Sequence, residues 1–362
     1  MGIALAAVLL VAGACTRDDS ETTRGDTDAA DAADENGGGG GGGAGAATEL
    51  ATTSAGCDSG ASLVPGVERV TLQSGGQERW YRRHLPPAYD GAQALPLVID
   101  LHGYSEGAEV HEMNSQMGDF GNEHGFVTLF PQGRGDVPFW DTSADGIDVA
   151  FIGDLLDEAE ATLCIDPTRV YVTGLSNGAM MTSTVACVYA DRIAAAAPVA
   201  GVAEVGDCTP DRPVPVVSFH GTADPFLDYQ GGFGPATAQL PTPDGSGTLG
   251  ELDDADNAED AGAAAAADAP AVPEVMAEWA ERNGCDDGAP DEAAQSEHVT
   301  ILTYPCPEGA EVELYRIDGG GHTWPGSPFL DGVDLVGETT FEISANEIIW
   351  DFFQAHPLAP TS

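Results

Sequence analysis

The sequence has no lysine, and all of its 12 basic residues are arginines, set against 60 acidic residues. The net charge of −48 argues against a nucleic-acid partner, because binding to a polyanionic backbone depends on basic side chains. Such a charge keeps a protein soluble and repels polyanionic substrates and anionic lipid headgroups. We therefore interpret it as a solvated acidic surface and expect no nucleic-acid partner.

A long apolar run is also missing near the N-terminus. The run at residues 3–14 is too short to cross a bilayer as a helix but has the length of a signal-peptide core. The segment Val11–Cys15 resembles a bacterial lipobox, although Ala12 replaces the usual leucine and no basic residue precedes the run. We expect a signal peptide over residues 1–15, lipidation at Cys15 and an extracytoplasmic location, with membrane contact only through this anchor. A plain secretory signal is the alternative.

No metal-binding motif stands out among the eight histidines. None of them fits H-E-x-x-H, and His102, His111 and His124 lack the spacing of metal ligands. The acidic run at residues 253–256 lacks the glycine and the terminal glutamate of a calcium loop. We therefore expect neither a metal nor another cofactor.

The cysteines point to an oxidising compartment. If Cys15 is lipidated, six cysteines remain, and an even number in an exported protein predicts three disulfides. Six cysteines allow about fifteen pairings. Sequence neighbours favour Cys187 with Cys208 and Cys285 with Cys306, which leaves Cys57 with Cys164.

Composition divides the chain into a tether and one large domain. Residues 16–56 are rich in Gly, Asp, Ala and Thr, with little that a core could bury, so we predict a disordered tether. Residues 57–362 suffice for one α/β domain, which we expect to be monomeric. Within it, the acidic low-complexity segment 231–272 predicts an insertion that is either disordered or a mobile lid.

Apolar runs alternate with segments of helical periodicity along this domain. Alternating residues around Ser74-Gly75-Gly76 predict a hairpin. Short apolar runs predict buried strands at 95–101, 126–130, 170–173, 194–199, 214–219, 299–304 and 312–317. Helices are predicted at 152–163, 177–190, 273–282 and 344–354. The order favours a doubly wound, mostly parallel sheet with helices on both faces.

Gly174-Leu175-Ser176-Asn177-Gly178 fits the pattern G-x-S-x-G between a predicted strand and a predicted helix. This is the context of a nucleophile elbow, in which small neighbours allow a sharp turn that presents the serine at a helix N-terminus. The alternative is an unreactive Gly-Ser turn. We predict Ser176 as a catalytic nucleophile.

A serine nucleophile needs an imidazole base and a carboxylate, and both should follow it at the ends of later strands. Asp224 lies just after the strand predicted at 214–219, and His322 follows the strand predicted at 312–317. We therefore predict Asp224 and His322 as the remaining catalytic residues. Asp228 stays open as an alternative acid, while His220 is expected to shape the turn.

Acyl transfer also needs donors for the oxyanion of the tetrahedral intermediate. In this architecture they are the backbone amide after the nucleophile and an amide in the loop after an early strand. Asn177 supplies the first, and Tyr104 in the sequence His102-Gly103-Tyr104 is the expected second donor. The alternative for this His-Gly pair is a simple tight turn.

Five segments together resemble a known family: LVIDLHGY, FVTLFPQG, LCIDPTRVYVTGLSNGAMM, VPVVSFHGTADP and GGGHTWPG. They are similar to the α/β-hydrolase group that contains secreted polyhydroxybutyrate depolymerases, feruloyl esterases and acetylxylan esterases. The resemblance covers about residues 57–362. It implies a Ser176-Asp224-His322 triad, oxyanion binding at Tyr104 and a substrate-binding place for Trp324 beside the site. The acidic insertion departs from the family pattern.

The sequence therefore predicts a secreted serine esterase acting through an acyl-enzyme. The expected substrate is an oligomeric or polymeric neutral ester: feruloyl or acetyl esters of plant polysaccharide, or polyhydroxybutyrate oligomers. Two alternatives remain open. A prolyl-oligopeptidase-like peptidase would use the same triad, although no propeller-sized domain is present, and a non-catalytic glycan-binding envelope lipoprotein would have lost the chemistry.

Overall fold

A single large sheet organises the part of the chain that the computed structural model describes, which is residues 51–59, 63–206, 208–252 and 269–358. The strands in these ranges are β1 Gly66–Ser74, β2 Gln77–Leu85, β3 Leu95–Leu101, β4 Val127–Pro131, β5 Ile165–Leu175, β6 Ala195–Val199, β7 Val216–Gly221, β8 Asp291–Ala294, β9 Val299–Thr303 and β10 Val312–Ile317. Their spatial order is β1-β2-β4-β3-β5-β6-β7-β10-β9-β8.

The centre of the sheet is parallel and its margins are antiparallel. Strands β4, β3, β5, β6, β7 and β10 pair in parallel, whereas β1 with β2, β2 with β4, β10 with β9 and β9 with β8 are antiparallel. Parallel strands place their carboxyl ends at one edge, where ligand sites form in open α/β sheets. The predicted mostly parallel α/β sheet is confirmed.

The hairpin of β1 and β2 begins the sheet as predicted. Ser74 pairs with Gln77. The two residues between them, Gly75 and Gly76, have φ of 57° and 76°. A two-residue turn with both φ values positive matches the twist of the strands and favours glycine.

Helices cover both faces of the sheet. Those of eight or more residues are α1 Ala108–Ser115, α2 Met117–His124, α3 Ile147–Thr162, α4 Asn177–Val188, α5 Val272–Arg282 and α6 Ala345–Ala355. Strand β3 separates two cores, because Leu97, Ile99 and Leu101 pack with α3, α4 and α5 while Val98 packs with α1, α2 and α6. Its mostly apolar sequence, interrupted by Asp100, reflects burial on both faces.

The folded domain begins earlier than the sequence predicts. Ser54, placed in the predicted tether, is 6% exposed, and its Oγ–H donates to the Leu163 carbonyl at 2.5 Å. Its N–H donates to the Ile165 carbonyl at 2.9 Å. A short 3₁₀ helix follows at Ala55–Asp58. The domain boundary predicted at residue 57 is therefore a few residues too late. Ser54 already belongs to the fold, because it donates hydrogen bonds at the buried start of β5.

Residues 231–252 of the predicted insertion are folded. Residues 231–252 contain a 3₁₀ turn at Thr237–Gln239 and a helical turn at Leu249–Leu252. An isolated bridge joins Pro241 to Thr248, and the Thr237 hydroxyl donates to the Phe226 carbonyl at 2.7 Å. Disorder is therefore contradicted for residues 231–252 of the predicted insertion. The acidic run at 253–256 lies outside the described residues.

Three disulfides join the six cysteines of the domain. They are Cys57–Cys164, Cys187–Cys208 and Cys285–Cys306, which is the pairing predicted from sequence neighbours. The predicted signal peptide, Cys15 and residues 16–50 of the predicted tether lie outside the described residues. Among the helices that are described, none has the length and apolarity needed to cross a membrane.

Candidate active site

Ser176 occupies a sharp turn between β5 and α4. Its backbone has φ 58° and ψ −120°, a conformation that non-glycine residues rarely adopt. Its N–H donates to the Val199 carbonyl at 2.9 Å, which fixes the turn to β6. Strain held in this way is a feature of functional sites, and this geometry fits a nucleophile elbow.

The glycines of G-x-S-x-G are dictated by close backbone approach. A Cβ on Gly174 would lie 2.6 Å from the Leu101 carbonyl oxygen, and a Cβ on Gly178 would lie 2.1 Å from the same atom. A Cβ on Gly201 would lie 2.5 Å from the Ser176 carbonyl oxygen. The end of β3 therefore packs directly on the serine turn, which brings the loop after β3 next to Ser176.

Asp224 and His322 meet at the same edge of the sheet. Asp224 follows β7 and His322 follows β10, and Asp224 Oδ2 lies 2.7 Å from His322 Nδ1. Burial would raise the pKa of the Asp224 carboxyl, but its interactions with His322, His220 and the Leu227 amide outweigh burial and lower it. Asp224 is thus an anion that orients the His322 ring.

The serine and the histidine are not yet hydrogen-bonded. Within the described residues, no hydrogen bond joins Ser176 Oγ to His322, although both lie past the carboxyl ends of parallel strands in one sheet. Catalytic hydrogen bonds often tighten only in the complex with substrate.

The alternative acid Asp228 does not contact His322. Its Oδ1 accepts the Gln230 N–H at 2.8 Å, which closes a local turn. His220 Nε2 donates to the Leu227 carbonyl at 2.9 Å, so this histidine holds the turn that carries Asp224. Burial lowers the pKa of His220, against the opposing charge of Asp224. The geometry favours Asp224 as the acid, and His220 has the turn-shaping contact expected of it.

The loop after β3 approaches Ser176 through Gly103. A Cβ on Gly103 would lie 3.5 Å from the Ser176 Cβ. The Gly103 N–H donates to Glu106 Oε2 at 2.8 Å, so it is committed within the loop. The predicted oxyanion donor Tyr104 follows directly, and its hydroxyl donates to the Pro241 carbonyl at 2.8 Å. Tyr104 therefore joins this loop to Pro241, within residues 231–252.

Asn177 has a second contact that sequence reasoning missed. Its side-chain Oδ1 accepts the Trp140 N–H at 2.7 Å, and its Nδ2 donates to the Trp140 carbonyl at 3.2 Å. The Trp140 indole N–H in turn donates to the His102 carbonyl at 2.8 Å. Asn177 thus ties the serine turn to the loop after β3 through Trp140.

Trp324 does not contact an open substrate surface, contrary to the sequence prediction. It is 1% exposed, and its indole N–H donates to Asn346 Oδ1 at 2.8 Å. Its ring packs edge-on against His111 at 5.7 Å between centroids. The aromatic residue two positions after His322 is therefore part of the core beneath the site rather than part of its surface.

A buried charged cluster behind the loop was missed as well. His111 Nε2 lies 2.7 Å from Asp100 Oδ1, and His111 Nδ1 lies 3.0 Å from Glu106 Oε2. The side chains of Asp100 and His111 are fully buried, and that of Glu106 is 11% exposed. The sequence offered only an Asp in an apolar strand and a His one turn into a helix. Among the described residues, no group of three or more acidic, His or Cys side chains is arranged to hold a metal ion.

Comparison with known proteins gives relatives that are esterases by name. No protein-family model matches the chain. It is 29% identical over 247 residues to feruloyl esterase B of Piromyces equi, covering 66% of this chain and 41% of that protein. It is 29% identical over 297 residues to the putative esterase NocK of Nocardia uniformis subsp. tsuyamanensis, covering 76% of this chain and 79% of that protein.

A third relative and a solved structure extend the comparison. Poly(3-hydroxyalkanoate) depolymerase C of Paucimonas lemoignei is 38% identical over 120 residues, 29% of this chain and 28% of that protein. The acetyl xylan esterase of Aspergillus awamori has the same fold, with a TM-score of 0.55, 16% identity and coverage of 80% of this chain and 99% of that chain. The resemblance inferred from the motifs is confirmed: the chain is similar to proteins named as esterases, and it shares the fold of the acetyl xylan esterase.

Proposed function

We propose that the chain is an exported serine esterase that hydrolyses carboxylic esters through Ser176, His322 and Asp224. The observation that carries this proposal is the 2.7 Å hydrogen bond between His322 and Asp224 at the sheet edge where Ser176 occupies a strained turn. These are the three groups that acyl transfer needs, in the chain order of α/β-hydrolases.

In the first half-reaction, Ser176 Oγ attacks the ester carbonyl carbon. His322 Nε2 accepts the hydroxyl proton and then donates it to the leaving alcohol as the C–O bond breaks. The Asp224 carboxylate accepts the His322 Nδ1–H throughout, which keeps Nε2 free to accept a proton and stabilises the imidazolium. An acyl-enzyme on Ser176 and a free alcohol result.

In the second half-reaction, water replaces the alcohol. His322 removes a proton from water, the resulting hydroxide attacks the acyl-enzyme, and the proton returns to Ser176 as the carboxylic acid departs. The backbone amides of Asn177 and Tyr104 are the proposed donors to the oxyanion in both steps. Asn177 opens α4, so its N–H belongs to a helix N-terminus, where negative charge is favoured.

The substrate class proposed is a neutral ester: feruloyl or acetyl groups on plant polysaccharide, or hydroxyalkanoate oligomers. The names of the relatives support this range. The net charge of −48 disfavours acidic polymers such as pectin by repulsion that salt screens. The folded residues 231–252 approach the site through the Tyr104 hydroxyl, so we propose that they shape its entrance.

A substrate panel tests the proposal on the full chain. Methyl ferulate, acetylated xylan and hydroxybutyrate oligomers are compared, with a peptide amide to test the peptidase alternative and Ser176→Ala as control. We expect hydrolysis of at least one ester, none of the amide, and loss of activity in the variant. Hydrolysis that survives Ser176→Ala contradicts the mechanism. Absent labelling by a fluorophosphonate favours the non-catalytic alternative.

Export rests on two independent features of the chain. The three disulfides favour an oxidising compartment, and residues 1–15 have the pattern of a signal peptide ending at a lipobox-like Cys15. We propose a lipid anchor at Cys15 followed by a tether. Metabolic labelling with a fatty acid should mark the wild type and leave Cys15→Ser unlabelled. An unlabelled wild type recovered in the medium would favour a plain secretory signal.

A further inference from the structure

The oxyanion loop, defined as residues 102–106, is held by contacts on both sides. The Gly103 carbonyl lies 2.7 Å from His102 Nδ1 and accepts the Glu106 N–H at 3.2 Å. The Ser105 N–H donates to the Pro138 carbonyl at 2.8 Å. The Gly103 N–H has a side-chain acceptor, the Glu106 carboxylate. That carboxylate therefore helps to fix the peptide before Gly103, whose carbonyl oxygen accepts the Trp140 indole N–H.

Glu106 is itself held by a buried network. Its Oε2 faces His111 Nδ1 at 3.0 Å, and its Oε1 accepts from Asn114 Nδ2 at 2.8 Å. Behind His111, Asp100 Oδ1 faces Nε2 at 2.7 Å, and Asp100 Oδ2 accepts the Ser115 hydroxyl at 2.6 Å. Three of these partners lie on α1, so the helix carries the support of the loop.

His111 is the cation of this cluster. Both of its ring nitrogens face carboxylate oxygens, an arrangement that needs a proton on each nitrogen. Burial would lower its pKa, but Asp100 and Glu106 raise it to about 10. Burial would likewise raise the pKa of Glu106, but His111, the Gly103 amide and Asn114 lower it to about 2. The neighbouring His102 is neutral, because burial lowers its pKa to about 4.

This charge bears on the developing oxyanion. A Cβ on Gly103 would lie 3.2 Å from Glu106 Oε2 and 3.5 Å from the Ser176 Cβ, so Gly103 separates the carboxylate from the nucleophile. An uncompensated carboxylate there would disfavour negative charge on the substrate oxygen. The His111 cation is shared between Glu106 and Asp100, so it offsets the Glu106 charge only in part, and the site keeps a strong acceptor for Gly103 with reduced repulsion.

We propose that Glu106, held by His111, is a positioning residue that fixes the oxyanion loop so that the Tyr104 amide faces the substrate oxygen. Glu106 holds the Gly103 amide, and the amide of Tyr104, the next one along the loop, is the proposed donor to the oxyanion. The inference rests on the proposed function, since it assigns a role within the same site.

Two substitutions of Glu106 separate its hydrogen bond from its charge. Glu106→Leu removes the acceptor for Gly103. Glu106→Gln keeps an oxygen acceptor for the Gly103 N–H. The NH₂ group of the glutamine can donate to Asn114 Oδ1 once the Asn114 side-chain amide flips. In the structure, Asn114 Oδ1 is buried and has no hydrogen-bond partner. Glu112→Gln is the matched control, because Glu112 neighbours His111 on α1 yet pairs with His84 at 3.0 Å, away from Gly103.

The assay is hydrolysis of p-nitrophenyl acetate by the full chain, with active sites counted by fluorophosphonate titration and melting temperatures recorded. We expect Glu106→Leu to lower kcat per active site about 10- to 100-fold with KM nearly unchanged, since a misdirected oxyanion donor acts in the transition state. Glu106→Gln and Glu112→Gln should stay within about threefold of wild type, because each keeps the Gly103 acceptor.

A purely structural role would reduce the number of titratable sites and leave kcat per site unchanged, which would overturn the inference. Equal losses in Glu106→Gln and Glu106→Leu would also overturn it. If Glu106→Leu does not fold, Glu106→Asp replaces it, because its carboxylate stops one methylene short of Gly103. Failure of the proposed function has a different signature, namely hydrolysis that persists in Ser176→Ala.

Discussion

Replacement of Asp224 by asparagine tests the assigned acid while preserving its shape. Asp224 Oδ1 accepts the Phe226 and Leu227 amides at 2.8 and 2.9 Å, and asparagine can keep both bonds through its carbonyl oxygen. Its NH₂ group then faces His322 Nδ1, in the place where Asp224 Oδ2 accepts the Nδ1–H hydrogen bond at 2.7 Å. The ring must place its proton on Nε2, and it can no longer accept the proton of Ser176.

The expected loss in kcat is large because the wrong tautomer of His322 removes the base. The same substitution in other Ser-His-Asp sites leads us to expect a loss in kcat of about 10⁴-fold. This loss is equivalent to about 5 kcal/mol of transition-state stabilisation. Steady-state hydrolysis of p-nitrophenyl acetate measures it. The melting temperature should change little, since the two amide contacts of Asp224 remain.

Asp228→Asn is the control for this experiment, because Asp228 is the other acidic residue in the same loop. Its contact with the Gln230 amide is local and exposed, so we expect kcat within about twofold of wild type. Asp224→Asn with kcat within tenfold of wild type, or an equal loss in Asp228→Asn, would refute the assignment.

Three further predictions concern stability, each measured by urea unfolding. Gly178→Ala should cost about 3 kcal/mol or prevent folding, because its Cβ would lie 2.1 Å from the Leu101 carbonyl oxygen; near-wild-type stability would contradict that packing. Removal of Cys57–Cys164, which spans 107 residues, should cost about 4 to 5 kcal/mol, more than removal of Cys187–Cys208, which spans 21 and should cost about 3 kcal/mol. The pKa of His111 is raised to about 10 from 6.5, so its stabilisation is complete below pH 6.5 and is lost as pH rises through about 10. His111→Gln should lack that alkaline loss, and an unchanged pH dependence would mean that His111 is neutral in the fold.

Residues with strong local signals were predicted well from the sequence. The serine turn lies between a strand and a helix as predicted, because close approach of Leu101 requires glycine on both sides of the turn and leaves a readable motif. The cysteine pairing also followed from sequence order. The serine turn depends on a short stretch of chain, where backbone geometry restricts the choice of residue.

Features that depend on contacts between distant segments were missed. Helices α1 and α2 are only eight residues long and contain few apolar residues, and β8 is a short exposed edge strand, so no pattern marked them. The role of Glu106 is visible only when Gly103, His111 and Asn114 are brought together. Trp324 was misplaced because a motif gives neighbours along the chain and not the direction in which a side chain packs.

The central claim is that Ser176 forms an acyl-enzyme, and mass spectrometry of the protein quenched during turnover of p-nitrophenyl acetate tests it most directly. The account predicts a single added acetyl group on the peptide that carries Ser176, absent from Ser176→Ala, which should also lose hydrolysis. An acetyl group on a different residue, or wild-type turnover by Ser176→Ala, would contradict it.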